Sequence, residues 1–574
     1  MPAADRKTIL STLEEIALLL ELAGANPFKS RAFANGARTL QAWEGDFAAG
    51  LESGELAGLK GVGKGLLAEI RALVETGSSP AYEELRAAVP AGLMDILKIP
   101  GLGPKRVRVL SEKLGISSLA ELEYACNENR LIELDGFGAK TQEKILNVID
   151  FVQNFSGLYL LSDAWRRSEG LMETLRSVPG VSSVELAGSI RRRKETVKDI
   201  DVLVAASAPA AVHEALAGLD GVSEVIVSGD TKTSIRLDNG LQVDLRTVTE
   251  AQFPFALHYF TGSKEHNTRL RARARDKGMK LNEYGLFAAD ESESVSCASE
   301  SELFAALDLP MIEPELREDL GELEAALEGS LPVLVSMDDL RGALHNHTTY
   351  SDGAHSVRDM AEAAKAMGLE YIGLSDHSQT ASYAGGLLPD DIRRQHDEID
   401  EVNSDLDGIV ILKGIESDIL VDGSLDYPDE VLASLDFVVA SVHSQFGLDP
   451  VKQTERCIRA VSHPMCSILG HPTGRILLGR DGFEMDLRAV IDAAAEAGTA
   501  VELNANPHRL DLDWRELRYA ISKGCRVSIG ADAHRVSGLG DLKYGVAVAR
   551  KGWVSKADVL NCLGVEELMG VLGG

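Results

Sequence analysis

Residues Val527–His534 read VSIGADAH, a short apolar run with β-branched residues that ends in Asp532 and His534. Four other runs have the same form: IGLSDH ending at His377, VILKGIE at Glu416, FVVASVH at His443 and CSILGH at His471. Between them lie Ala-rich stretches, such as Val357–Met367 and Leu487–Ala497, whose apolar residues recur at helical spacing. Strands and helices alternating in this way predict a barrel of parallel strands whose carboxyl ends aim side chains at one mouth. With His345, His347 and Asp352 in LHNHTTYSDG, nine metal-type side chains are strung along this part of the chain. One His after a strand is more often an ordinary polar residue. Ten of the thirteen His lie between His345 and His534, however, and six of those close apolar runs or sit in HxH and DxH pairs. Imidazole mixed with carboxylate suits Zn, Mn or Fe, and this many donors point to more than one ion.

In order, LHNHTTYSDG, SDHS, GIESD, SVHS, GHP and ADAH resemble the motifs of the polymerase and histidinol phosphatase (PHP) phosphoesterases, over roughly residues 339–574. The resemblance implies a distorted β/α barrel. In it, His345, His347, Asp352, His377, Glu416, His443, His471, Asp532 and His534 would hold about three ions, Mn or Zn, that activate water against a phosphoester. The motifs leave the size of that ester open. Arg475, Arg509 and Arg535, close to the mouth in sequence, are expected to meet the phosphates of DNA or one small phosphate.

At 574 residues the chain has room for three to four domains. Its amino terminus reads as an amphipathic helix broken by Glu14, Glu15 and Glu21, without the basic start and cleavage site of a signal peptide. No stretch is apolar for long enough to span a bilayer. Six scattered Cys without a CxxC pair fit a reducing compartment, so a cytoplasmic protein is expected. A formal net charge of −31 counts against nucleic-acid binding, but the distribution softens the objection. Basic runs at Arg191–Lys194 and Arg269–Lys280 predict local positive fields, whereas acidic residues gather at Asp290–Glu328 and Asp390–Asp407.

Three segments near the amino terminus share one pattern: LKGVGKGLLAEI (Leu59–Ile70), LKIPGLGPKRVRVL (Leu97–Leu110) and LIELDGFGAKTQEKIL (Leu131–Leu146). In each, an apolar helix end meets a Gly-x-Gly turn and then a second helix. Glycine permits the left-handed turn, and amides at the following helix start favour a phosphate oxygen. The alternative is glycine kept only for tight packing. These segments resemble helix-hairpin-helix motifs, which implies a sequence-independent grip on the DNA backbone. Gly61, Gly63, Lys64, Gly101, Gly103, Lys105, Gly136 and Gly138 are the candidate contacts.

A second chemical focus is AGSIRRRKETVKDIDVLV, Ala187–Val204. On a strand, Asp199 and Asp201 point to one face, and in LQVDLRTV Gln242, Asp244 and Arg246 share the polar face of another. A surface strand is the commoner meaning of DxD alone. A third carboxylate beside the first two is suited to hold two Mg²⁺ or Mn²⁺ ions about 4 Å apart. Gly188 and Ser189, followed by the basic run, offer amides, a hydroxyl and charged forks to a triphosphate.

This spacing resembles the family X DNA polymerases, of the beta type, over about residues 1–290. The resemblance implies that Asp199, Asp201 and Asp244 are the catalytic metal ligands, with Asp244 also the base for the primer 3′-hydroxyl. It places Gly188, Ser189 and Arg192 on the triphosphate. The turn Tyr259-Phe260-Thr261-Gly262-Ser263 would pack against the nucleotide sugar, and Asn267 and Arg271 would touch the nucleotide and the template strand. Two positions depart from the family pattern. Glu69 stands where lyase members carry a Schiff-base Lys, and a carboxylate cannot form that adduct. Gln242 stands where the beta enzyme has an Arg.

The expected architecture is multidomain α/β. It comprises a helical domain (1–82), a hairpin-rich DNA-grip domain (83–150), a palm with mixed sheet (151–250), a nucleotide-selecting subdomain (251–315), an acidic linker (316–338) and the PHP barrel (339–574). Gap filling in gapped or primed DNA from deoxynucleoside triphosphates, with 3′-end resection by the barrel, is the first expectation. A second keeps the polymerase but gives the barrel small phosphoesters, pyrophosphate or 3′-phosphate ends. A third is a DNA-end scaffold with vestigial centres. No protein partner is indicated, and a monomer without membrane contact is expected.

Overall fold

The hairpin repeats, the palm sheet and the barrel each form where the sequence patterns place them. The computed structural model describes residues 6–43, 45–132, 134, 136–152, 157–288 and 293–572. Contacts divide the chain into two units, one of residues 1–126 and 130–153 and the other of 127–129 and 154–574. The first unit is helical. Its apolar faces close two cores, one around Ile9, Leu13, Ile16, Phe33 and Ile70, the other around Leu93, Ile96, Val107, Leu110 and Leu122. The three repeats enter helices α1 (Lys64–Thr76), α2 (Pro104–Leu114) and α3 (Ala139–Val152).

In the second unit the palm is a five-stranded mixed sheet of β1 (Val181–Leu186), β2 (Asp199–Ala206), β3 (Val222–Ser228), β4 (Lys232–Leu237) and β5 (Gln242–Val248), in the order β1-β2-β5-β4-β3. Only β2 and β5 run parallel. Along β5 buried Val243, Leu245 and Thr247 alternate with half-buried Gln242, Asp244 and Arg246, so the pleat presents the polar set on one face. After the palm come helices α4 (Phe253–Thr261) and α5 (Lys264–Asp276), the latter capped by Ser263.

The barrel closes seven parallel strands: β6 (Gly342–Asn346), β7 (Tyr371–Leu374), β8 (Val410–Asp418), β9 (Phe437–Ser441), β10 (Ile468–Leu469), β11 (Ala500–Asn504) and β12 (Val527–Ala533). Their residues are buried almost without interruption, as expected of parallel strands covered by helices. One core, with Ala343, Ile372, Val438 and Ile529, packs the strands against the surrounding helices, and a second, with Leu344, Tyr371, Phe437 and Val439 from the alternate strand positions, lies against Leu560 and Leu568 of the carboxyl-terminal segment. The six cysteines are free and buried. No described helix is long and apolar enough to cross a membrane.

Residues 316–338, expected to be a solvated acidic linker, are packed instead. Leu316, Arg317, Glu322, Leu323, Ala326 and Val335 are buried. Charged groups of this region have partners: Arg317 pairs with Glu300, Glu318 accepts from Arg192 at 2.9 Å and from Lys551 at 2.6 Å, and Glu322 accepts from His266 at 2.6 Å. Charge composition missed this because the partners are remote in sequence.

Candidate functional sites

In all three hairpins the first glycine has positive φ, 93° at Gly61, 92° at Gly101 and 84° at Gly136. Gly63 and Gly103 are extended and cap the following helix with no side-chain bond to its amides. A Cβ on Gly63, Gly101, Gly103, Gly136 or Gly138 would meet nothing within 4 Å, so tight packing does not explain these glycines. The exposed turns leave the backbone open to a phosphate, with Lys64 and Lys105 exposed beside two of them. Glu69 accepts from the Ser79 hydroxyl at 2.5 Å.

In the palm, Asp201 on β2 stands in register with Asp244 on β5, and Asp199 with Gln242. Asp244 is oriented by Ser234 Oγ at 2.5 Å, Gln242 Nε2 at 3.0 Å and Lys232 Nζ at 3.2 Å. Burial alone would raise its pKa, but these donors outweigh burial and hold it below the ordinary carboxylate value. Asp201 has no such donors among the described residues. Burial, with the charges of Asp199 and Asp244, pushes it up to about 7, and Asp199 is raised by the same kinds of cause. Gly188, at φ 59°, lies against this carboxylate, since a Cβ there would stand 2.0 Å from Asp201 Oδ2. Three neighbouring carboxylates of which two resist ionisation fit a site for cations.

The remaining predicted nucleotide contacts converge on the same region. Arg192 donates from Nη1 to the Thr261 carbonyl at 2.7 Å, which ties the basic run to the turn after α4. Asn267 donates to the carbonyls of Tyr259 (2.7 Å) and Gly262 (3.2 Å), and Arg271 Nε to the carbonyl of Asn267 at 3.3 Å. Gly262 leaves room for that amide, because a Cβ would stand 2.5 Å from Asn267 Oδ1. Arg246, two residues beyond Asp244, lies 4.6 Å from the centroid of Phe260. Ser189 is partly exposed one residue beyond Gly188. The run Arg191–Lys194, expected to give a local positive field, is largely engaged with other side chains. Arg191 pairs with Glu300 at 2.6 Å, Arg192 with Glu318 at 2.9 Å, and Arg193 stacks 3.8 Å over the Trp165 ring.

The barrel gathers all nine predicted donors. Among these nine, four sets have ligand atoms within 4.8 Å of one another: His347, Asp352, His377 and His534; His345, His471 and Asp532; His345, His347 and Glu416; His377, Glu416 and His443. The palm aspartates are not among the sets this tight. Glu416 is central, with His377 Nδ1 at 2.9 Å, His471 Nε2 at 3.0 Å, and His345 Nε2 and His443 Nε2 at 3.2 Å. Against the upward push of burial, His443, His345 and His377 hold its pKa well below the carboxylate range. Burial, with Arg509, lowers His471 to about 3. Among the described residues, several buried ring nitrogens and carboxylate oxygens here make no directed hydrogen bond despite the carboxylates nearby, among them both nitrogens of His347, His377 Nε2, His471 Nδ1 and Asp352 Oδ2. Buried polar atoms are rarely left so, and these atoms fit the donor set of a cation site. His345, His471 and Asp532 also hold positive φ, at 65°, 23° and 50°. Backbone strain of this kind concentrates at ligand clamps.

Three residues outside the predicted set orient it. Glu502 accepts from His345 Nδ1 at 2.6 Å and from the His471 amide at 2.5 Å, and Asp418 accepts from His443 Nδ1 at 2.6 Å. Asp376 accepts from the Thr348 amide at 2.7 Å and the Ser351 hydroxyl at 2.6 Å, in the loop after His347. Their signal was a carboxylate inside or just after an apolar run. Of the three Arg expected at the mouth, Arg475 is committed to Asp513 at 2.5 Å, while Arg509 lies 3.8 Å from Asp532 and Arg535 is partly buried.

Fold and donor sets define a two-centre chain, a palm with three neighbouring aspartates and a barrel with nine metal-type donors. Family models match along its length: a helix-hairpin-helix domain at residues 4–79, a SAM-like helix-hairpin-helix tandem at 93–149, a DNA polymerase beta thumb at 256–318 and a PHP domain at 343–506. The chain is 40% identical over 565 residues, 98% of each protein, to the DNA polymerase/3′-5′ exonuclease PolX of Bacillus subtilis. The barrel region is 32% identical over 200 residues to a probable phosphatase of Acetivibrio thermocellus, covering 33% of this chain and 78% of that one. A probable phosphatase of Thermoanaerobacter is 28% identical over 228 residues, 38% of this chain and 88% of its own. The chain belongs to the family X DNA polymerases that carry a PHP domain.

Proposed function

We propose that the palm extends 3′ ends in gapped or primed DNA from deoxynucleoside triphosphates, and that the barrel removes nucleotides from 3′ ends. What supports this reading is nine donor-type residues drawn together in the barrel and three aspartates on paired strands of the palm, in a chain similar over its whole length to a polymerase/exonuclease. Asp199, Asp201 and Asp244 would hold Mg²⁺ or Mn²⁺, which when bound offset the charge of the triphosphate and acidify the primer hydroxyl. Asp244, held ionised by Ser234, Gln242 and Lys232, takes the proton of the 3′-hydroxyl. That oxygen attacks the α-phosphorus and pyrophosphate leaves, held by Ser189 and by Arg192 beside the Gly188 turn. Tyr259, Phe260 and Gly262 face the sugar, while Asn267 and Arg271 contact the nucleotide and template. The hairpin glycines, with Lys64 and Lys105, hold the duplex backbone.

In the barrel the nine residues would hold Mn or Zn, which when bound supply an activated water and neutralise the phosphodiester. Glu502 and Asp418 fix which ring nitrogen of His345 and His443 faces the centre. The similarity of this region to probable phosphatases favours, as the second reading, a small phosphoester or a 3′-phosphate end. A primer labelled at its terminal internucleotide phosphate separates the two. Release of labelled mononucleotide supports the exonuclease. Intact primer, with free phosphate released from a small ester or a 3′-phosphate end, supports the second reading. Working on DNA, the protein is expected in the cytoplasm.

A further inference from the structure

Arg192 is held on two sides. Its Nη1 donates to the Thr261 carbonyl at 2.7 Å, and its Nε to Glu318 Oε1 at 2.9 Å. The same Glu318 oxygen accepts from Lys551 Nζ at 2.6 Å. Lys551 belongs to the barrel, as the last residue of helix α6 (Leu542–Lys551), and its side chain is fully buried. Its ammonium lies 4.4 Å from the Trp514 ring centroid and 3.4 Å from the Glu315 carbonyl. A buried ammonium is costly unless it is paired, so the residue is held by this partnership. Burial lowers its pKa to about 8, with Glu318 opposing the fall, and it stays largely protonated at neutral pH.

The charges decide what the arrangement does. A carboxylate paired with Arg192 alone would cancel the charge that a triphosphate is meant to feel. A carboxylate shared with Lys551 leaves the three-residue group with one net positive charge. With Nε and Nη1 fixed, Nη2 makes no hydrogen bond among the described residues. We propose that Lys551 is a positioning residue for polymerisation: through Glu318 it fixes and recharges Arg192 to receive the triphosphate, so the barrel supplies part of the nucleotide site. The proposal rests on the reading that Arg192 binds the triphosphate.

The test uses the full-length enzyme on gapped DNA and the variant Lys551→Met, close to lysine in length. Loss of one charge-assisted bond predicts a rise of about tenfold in the KM for deoxynucleotide, with kcat and the 3′ exonuclease rate near wild type. Lys551→Arg restores most of the loss. Arg550→Met is the control for simple docking, because Arg550 makes the neighbouring ion pair with Glu315 at 2.7 Å. It leaves KM within about twofold. An unchanged KM in Lys551→Met, or an equal rise in Arg550→Met, overturns the relay. Arg192→Ala keeps the two failures apart. If it raises KM while Lys551→Met does not, only the relay fails; if it leaves KM unchanged, the triphosphate role of Arg192 fails and takes the relay with it.

Discussion

Replacing Asp201 with Asn is expected to stabilise the metal-free protein while abolishing polymerisation. Burial and the neighbouring Asp199 and Asp244 raise the Asp201 pKa from 3.8 to about 7. At about 1.36 kcal/mol per unit, the folded state bears a cost of ionisation that approaches about 4 kcal/mol above neutral pH. Because the titration is shared with Asp199, roughly half of that is expected in practice, about 2 kcal/mol. The sign follows from linkage. The folded state holds this proton more tightly than the unfolded chain, so wild-type stability is lost as pH rises from the unfolded value near 3.8 to the folded value near 7. Asn carries no charge and escapes that loss. In chelator at pH 8 the palm transition of Asp201→Asn should lie about 4–8 °C above wild type, and at pH 5 the gap should fall to less than about half. Added Mg²⁺ raises only the wild-type transition. Differential scanning calorimetry reads all three outcomes. A variant that melts at or below wild type at pH 8, or a gap of the same size at pH 5, refutes the reasoning.

Two further outcomes follow from the packing and the hairpins. Glu300→Ala strands the fully buried Arg317 and removes the partner of Arg191, and should cost about 3–5 kcal/mol in a thermal or denaturant melt. A loss below about 1 kcal/mol would mean that the pair is not buried as described. Lys64→Ala combined with Lys105→Ala should weaken binding to gapped duplex uniformly across sequences. It should also flatten the plot of log K against log salt by about 1–2, read by fluorescence anisotropy. An unchanged slope removes both lysines from the phosphate contact.

Local patterns carried the barrel, the hairpins and the palm strands, because each depends on periodicity within about ten residues. Eight of the nine candidate barrel donors could be read from the sequence since each lies in or just after a strand and strand ends converge in a closed barrel, whereas Asp352 lies in the loop six residues beyond β6. Asp199, Asp201 and Asp244 were legible from the two-residue pleat. Residues set by pairing across the chain were not. Arg191 and Arg192 read as an open basic run, yet their partners Glu300 and Glu318 lie 109 and 126 residues away. The same pairings turned a supposed acidic linker into packed structure around Arg317 and Glu322. Glu502 escaped notice because a lone carboxylate in the apolar run Ala500–Asn504 has no sequence partner, although it binds His345 157 residues away. Lys551 was hidden for the same reason.

Two centres, one in the palm and one in the barrel, are proposed to act on one DNA 3′ end. This is tested most directly with a 5′-labelled primer in a gapped duplex, with Mn²⁺, with and without deoxynucleotides, comparing wild type, Asp244→Ala and Glu416→Gln. Wild type should extend with nucleotides and shorten stepwise without them. Asp244→Ala should shorten but not extend, Glu416→Gln should extend but not shorten, and chelator should stop both. Extension by Asp244→Ala, or shortening by Glu416→Gln at the wild-type rate, would contradict this assignment.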